Sequence, residues 1–245
     1  MEKIIYYFLS FFCGVFPPIL WLSFYLKEDQ RPEPKRMVIF VFLLGVLFVF
    51  PAVSFQFLLL NIFSSFNSNP FSFFWFFQNF FIVAFLEEFF KFLPIVFFVF
   101  KNKEFDEPVD AMIYMIISAL GFAACENFFA IKNVDPNQFN ISEYYFSSVF
   151  LLASLRFLGP VFLHSLSSAI FGYFVSLYYF KKGNVLTLLV GLLLATLLHF
   201  VFNFSIIVIT KEKTLPFHSY VVVIVFLGFV GWLVHQLFQR LKNKK

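Results

Sequence analysis

Residues 73–100 read FFWFFQNFFIVAFLEEFFKFLPIVFFVF, an apolar run of bilayer-crossing length that holds Glu87, Glu88 and Lys91 near its middle. A charged side chain at the centre of a bilayer costs at least ~2.5 kcal/mol. Three are kept there only if they pair with one another or are put to use. Around this run the composition fixes the solvent. Hydrophobic residues make up 61% of 245 and charged residues 13%, with a mean hydropathy of +0.86, far from the balance of a soluble domain. The chain therefore reads as an all-α membrane protein. Its 46 phenylalanines sit among abundant Ile, Asn and Lys, so the aromatic density is assigned to composition rather than to function.

A crossing needs about 20 apolar residues. Runs of that kind fall at Ile4–Leu26, Met37–Phe63, Phe73–Phe100, Val109–Ile131, Pro160–Phe180, Val185–Ile209 and Leu215–Phe238. The first is too long for a cleaved leader and lacks a small-residue cleavage pattern, so it is expected to be retained. Phe146–Leu158 is apolar but short, and it runs into Gly159 and Pro160, which disfavour a continuing helix; it is expected to be a separate half-span or an interfacial helix. The fold class predicted is a polytopic helical bundle of about seven transmembrane spans plus that half-span, forming one membrane domain over residues 1–245.

Loop charge predicts the orientation. With the N-terminus outside, the inner segments hold Lys27, Arg31, Lys35, Arg36, Lys101, Lys103, Lys181, Lys182, Arg240, Lys242, Lys244 and Lys245, and the outer ones Lys3, Lys132, Lys211 and Lys213. The C-terminus is thus expected in the cytoplasm. The net charge of +4 follows from these scattered residues, with no basic face for a nucleic acid. Cys13 and Cys125 lie far apart within apolar runs and point to neither a disulfide framework nor a thiolate metal site.

Polar residues deep in the spans are Glu87, Glu88 and Lys91 in the third, Glu126 and Asn127 in the fourth, His164 in the fifth, and His199 and Asn203 in the sixth, with Arg156 just before the fifth. At 1.5 Å per residue, Glu88, Glu126, His164 and His199 stand ~18, ~26, ~23 and ~21 Å from the inner ends of their helices. Four helices thus place titratable groups in one layer, which implies a polar cavity in the outer half walled by spans three to six. Lys91 lies four residues from Glu87 and three from Glu88, so it can neutralise one of them and leave the other. A carboxylate in such a cavity can take a proton from water and return it to a leaving amine. His199 and Asn203, four residues apart on one helix face, can together donate to an oxyanion.

These residues carry a resemblance. FLEEFFKFLP (85–94), DEPVDAMIYMIISALGFAACEN (106–127), RFLGPVFLH (156–164) and HFVFN (199–203), with YLKEDQRPEPKR (25–36), resemble the PrsW family of intramembrane proteases, within the wider superfamily of CAAX prenyl endopeptidases. Each piece is weak; the conjunction is specific. The resemblance implies that Glu87 or Glu88, with Glu87 preferred, activates the water, and that Glu126 shares in placing it. It implies that His164 fills the third motif and that His199 and Asn203 are the oxyanion donors. Lys91 would neutralise Glu88. Arg156, outside that carry-over, reads either as a support for the outer rim of the cavity or as a side chain that snorkels to the membrane surface. The catalytic core would span about residues 73–209, and the substrates would be membrane-anchored proteins such as anti-sigma factors. Tyr114 departs from the family's tyrosine–glycine pair, since Met115 follows it. No cofactor is expected, because the liganding set would come from four separate helices. If zinc is bound, Glu87, Glu126, His164 and His199 are the ligands expected.

Plainer readings apply elsewhere. Asp106, Glu107 and Asp110 flank Pro108, where helix capping and the helix dipole account for acidic residues. Met112 and Met115 are packing residues, and His218 and His235 are expected at the membrane interface. Two other function classes fit the same polar layer: a small proton- or ion-coupled transporter, which would favour paired broken helices and inverted repeats, and a non-catalytic scaffold with polar interhelical contacts.

Overall fold

The computed structural model describes residues 2–64, 73–133, 143–211 and 218–243. Among them the chain forms seven continuous helical rods and no strand. The first is α1 (Glu2–Tyr25), ending in a 3-10 turn at Leu26–Glu28, and the second is α2 (Lys35–Ser64). The third joins α3 (Phe73–Phe76), a π-helical turn (Phe77–Phe81), α4 (Ile82–Pro94) and a second π-turn (Ile95–Val99). Next come α5 (Pro108–Lys132), then α6 (Glu143–Arg156) and α7 (Phe162–Phe180) joined by a π-turn at Phe157–Val161, then α8 (Val185–Lys211) and α9 (His218–Lys242). Six rods are long and apolar enough to cross a membrane. The remaining rod is the one that carries Glu87, Glu88 and Lys91. Leu215, the expected start of the last span, and Lys213, Lys244 and Lys245 lie outside the described residues.

Helix α5 is the axis. In its most apolar stretch 94% of residues are buried within the protein, against 22–33% for the other five candidate spans. Those five instead expose large apolar side chains, such as Phe8, Leu43, Phe150, Leu186 and Val222, each more than half exposed. In water such a surface would drive association; against lipid tails it needs no cover. Close approach to α5 depends on missing side chains. A Cβ at Gly45 of α2 would stand 2.1 Å from the Ser118 carbonyl oxygen, and one at Gly121 of α5 would stand 2.0 Å from that of Phe42. Van der Waals packing, with no hydrophobic drive between helices in lipid, rewards such crossings. Met112 and Met115 are fully buried in this core.

The expected half-span is not a separate element. Helices α6 and α7 form one rod from Glu143 to Phe180, which continues through Gly159 and Pro160 by widening into the π-turn. Proline removes a backbone donor, and in lipid a freed carbonyl needs a new one. Trp21 of α1 braces the same turn: its Nε1–H donates to the Phe157 carbonyl at 3.0 Å, while its ring stacks on Phe162 at 4.2 Å. The carbonyl that Pro160 leaves without its usual donor is that of Arg156, and the wider i→i+5 register of the π-turn passes it to the next N–H, which keeps the rod whole. At the far end of the bundle, His235 stands 3.2 Å from Glu28, which also accepts from Lys242.

Candidate active site

Helix α4 turns two adjacent carboxylates in different directions. Successive residues lie about 100° apart around a helix, so Glu88 points into the packed interior while Glu87 reaches an open cavity of about 890 Å³. Glu88 is fully buried and its two oxygens are crowded with donors. Oε1 lies 2.7 Å from Lys91 Nζ, 3.0 Å from Ser167 Oγ and 2.8 Å from His199 Nδ1, and Oε2 accepts from Ser168 Oγ at 3.2 Å. Lys91, itself fully buried, stands 4.0 Å from Glu87 Oε2. Its ammonium also sits 2.6 Å from His164 Nδ1 and over the Phe122 ring. Its carbonyl accepts from Ser118 Oγ of α5.

Glu87, Glu126, His164, His199, Asn203 and Arg156 all line the one cavity. They come from α4, α5, α6, α7 and α8. Two pairs bind the set together: Glu126 Oε2 lies 2.8 Å from His164 Nε2, and Glu87 Oε2 lies 3.5 Å from His199 Nε2. The two imidazole rings meet edge to face at 5.1 Å. His199 is thus held between the buried Glu88 and the cavity-facing Glu87. Arg156 donates to the Asn127 side chain, and Asn127 in turn donates to the Gly14 carbonyl at 3.3 Å, so Arg156 is fixed at the wall rather than reaching for the membrane surface.

The expected cavity had walls from spans three to six. The observed one has a further wall, from Val49 to Phe57 of α2. Sequence reasoning also missed Gln56, whose Nε2 donates to Glu87 Oε1 at 3.4 Å, and the serines Ser167 and Ser168. The signals were there: Gln56 is an amide set among apolar residues of α2, and the serines follow His164 by three and four residues, on its own helix face.

Residues 33–231 match the family described as "PrsW family intramembrane metalloprotease". The chain belongs to the PrsW family. Relatives named Protease PrsW include those of Geobacillus kaustophilus, 34% identical over 82% of this chain and 80% of the relative, and Oceanobacillus iheyensis, 33% identical over 78% and 80%. That of Bacillus subtilis is 32% identical over 78% and 79%. No solved structure matches the chain. PrsW membership makes this integral membrane protein a peptide hydrolase.

The family description raises a metal, and the donor set tests it. Glu87, His164 and His199 each bring one ligand atom, all within 4.8 Å of one another, which is the count of a three-ligand catalytic zinc site. Glu88 at His199 Nδ1 is also the partner a metal-bound imidazole uses. His164 does not fit. An ammonium has donors and no acceptor, so His164 Nδ1, facing Lys91, must accept. The ring proton then sits on Nε2, where it donates to Glu126. With Lys91 charged, that nitrogen has no lone pair for a metal, and the three residues do not fit a metal as a set.

Proposed function

We propose that this PrsW protein is a glutamate-dependent intramembrane endopeptidase, with Glu87 as the base that activates water. The observation that carries this reading is the division of labour on α4: Lys91 is committed to Glu88, and Glu87 is the carboxylate that faces the open cavity. The charge count supports it. Three carboxylates (Glu87, Glu88, Glu126) stand against two fixed cations (Lys91, Arg156), which leaves room for one mobile proton. Glu87 and His199 are the pair at the cavity that can share it. With the proton on His199, Nδ1–H is held by Glu88, and Nε2–H lies at the cavity 3.5 Å from the ionised Glu87, from where it can turn to an oxyanion.

The reaction then follows from the geometry. Water, placed by Glu87 and Glu126, attacks the scissile carbonyl carbon as Glu87 takes its proton. The oxyanion accepts hydrogen bonds from His199 Nε2–H and the Asn203 amide. Glu87 returns the proton to the leaving nitrogen and the C–N bond breaks; the new carboxylic acid then passes its proton to the amine, so a carboxylate and an ammonium are released. His164 orients Glu126, and Arg156 supports the cavity wall. The proposed kinship with CAAX prenyl endopeptidases favours the same chemistry. We take residues 1–245 as one protease domain with its core at about 73–209, to which α2 adds Gln56 and a cavity wall. The substrates proposed are membrane-anchored proteins, an anti-sigma factor among them, in a bacterial cytoplasmic membrane with the C-terminus inside.

The test compares new protein termini in membranes of cells carrying the wild-type chain or Glu87→Gln at equal abundance. Termini beside other proteins' transmembrane segments should disappear in the variant, with the rate of appearance reduced by ~10²–10⁴. Identical profiles would sink the reading. The same assay on purified protein with a zinc chelator should leave cleavage unchanged, and loss of cleavage restored by added zinc would replace the glutamate mechanism with a metal one.

A further inference from the structure

At the other end of α5, ~24 Å along the axis from Glu126, the loop between α1 and α2 meets the α5 N-terminus. Four carboxylates gather there: Asp29, Glu33, Glu107 and Asp110. Sequence reasoning gave the acidic residues around Pro108 to helix capping, and capping accounts for part of what is seen. Asp110 Oδ2 accepts from the N–H groups of Asp106 and Glu107 at 2.9 and 2.8 Å. It does not account for the other oxygen. Asp110 is 1% exposed, and its Oδ1 is buried with no hydrogen-bond partner. Glu107 Oε1 is in the same condition. From the loop, Asp29 accepts the N–H groups of Arg31 and Glu33 at 2.9 and 3.1 Å, which curls the Arg31–Glu33 stretch back and presents the Asp29 carboxylate to the others. One carboxylate oxygen each of Asp29, Glu107 and Asp110 lies within 4.8 Å of the other two.

The positive charge that the described ion pairs bring to this cluster is that of Arg31, 3.9 Å from Glu107 and 3.8 Å from Asp106, on a side chain 68% exposed. One screened guanidinium against four gathered carboxylates leaves the cluster short of compensation.

We propose that Asp29, Glu107 and Asp110 form a binding site for a hard divalent cation, Mg²⁺ or Ca²⁺, which fastens the α1–α2 loop to the N-terminus of α5. All the donors are carboxylate oxygens, the set such ions select and softer metals do not. The two orphaned oxygens are the atoms the ion would satisfy. Tyr114, whose hydroxyl donates to Glu33, ties the site to the buried axis, so the ion would hold the loop against the helix that also carries Glu126.

The experiment uses the full chain, stripped with a chelator and held in nanodiscs of uncharged lipid, titrated with MgCl₂ or CaCl₂ by calorimetry and followed by its unfolding temperature. One ion per chain should bind with a Kd on the order of 0.1–1 mM, and saturation should raise the unfolding temperature. Asp29→Asn and Glu107→Gln should each weaken binding by about tenfold or more and abolish the thermal shift. Glu107 is partly exposed, so its variant is expected to fold even if Asp29→Asn does not. Glu87→Gln with His199→Gln should leave binding intact, which separates this site from the catalytic cavity. The preferred ion is the one giving the larger shift, because Mg²⁺ demands near-octahedral geometry and Ca²⁺ tolerates an irregular one. No binding by the folded wild-type chain would overturn the proposal and leave protons as the compensation. Binding unchanged in Glu107→Gln, or lost in the catalytic-cavity variant, would overturn it as well.

Discussion

Lys91 has a larger part than its place in a motif shows. It is a fully buried cation that touches Glu88, faces His164 and, by its charge, decides which ring nitrogen of His164 holds the proton. Lys91→Met should therefore strip the buried Glu88 carboxylate of the fixed cation that touches it, leaving the hydroxyls of Ser167 and Ser168 and the His199 ring. The expected cost is ~3–5 kcal/mol, read as a fall in unfolding temperature in lipid nanodiscs. Glu88→Gln combined with Lys91→Met should recover much of it, since removing both charges removes the uncompensated one. Equal losses in the single and double variants would mean that the two residues are not energetically coupled. Glu87 and Glu88 illustrate the limit of reading residues singly. The doublet is plain in the sequence, but i+3 and i+4 spacing lets Lys91 reach either, and the choice falls to Ser167, Ser168 and His199 on two other helices.

At the scale of elements, helix contacts set the stability. Gly45→Ala or Gly121→Ala would force α2 and α5 apart at a backbone-to-backbone crossing, and each should destabilise by ~1–3 kcal/mol, as overpacking does. Gly228 of α9 has nothing within 4 Å of its would-be Cβ, so Gly228→Ala should be neutral or stabilise by up to ~1 kcal/mol through helix propensity. Thermal unfolding of the three variants checks the ranking, and a destabilised Gly228→Ala would contradict this account. Trp21→Phe keeps most of the stacking on Phe162 but removes the donor to the Phe157 carbonyl. It should cost ~1–3 kcal/mol, with amide exchange fastest at the π-turn; exchange unchanged there would show that the turn does not need this donor. The length of the α6–α7 rod was misread from sequence because Pro160 is a helix breaker only where its freed carbonyls stay unpaired.

For the whole molecule, the loop charges predict that residues 103 and 182 lie inside and residue 132 outside. In a Cys13→Ala, Cys125→Ala background, an impermeant maleimide applied to intact cells should label Lys132→Cys and leave Lys103→Cys and Lys182→Cys unlabelled until lysis. The reverse pattern would invert the topology. The solvent, the helical class and the expectation of one polar layer through Glu88, Glu126, His164 and His199 follow from sequence alone, because apolar length, charge cost and rise per residue are local properties of a chain in a bilayer. The sequence also held most of the residues that line the cavity. The tertiary structure decided which carboxylate faces that cavity, that α2 walls it with Gln56, that Pro160 sits in an unbroken rod, and that Asp29 and Asp110, 81 residues apart, share one acidic cluster. Each of these depends on how helices rotate and cross, and a rotation of one residue's 100° is set by partners on other helices rather than by the segment that turns.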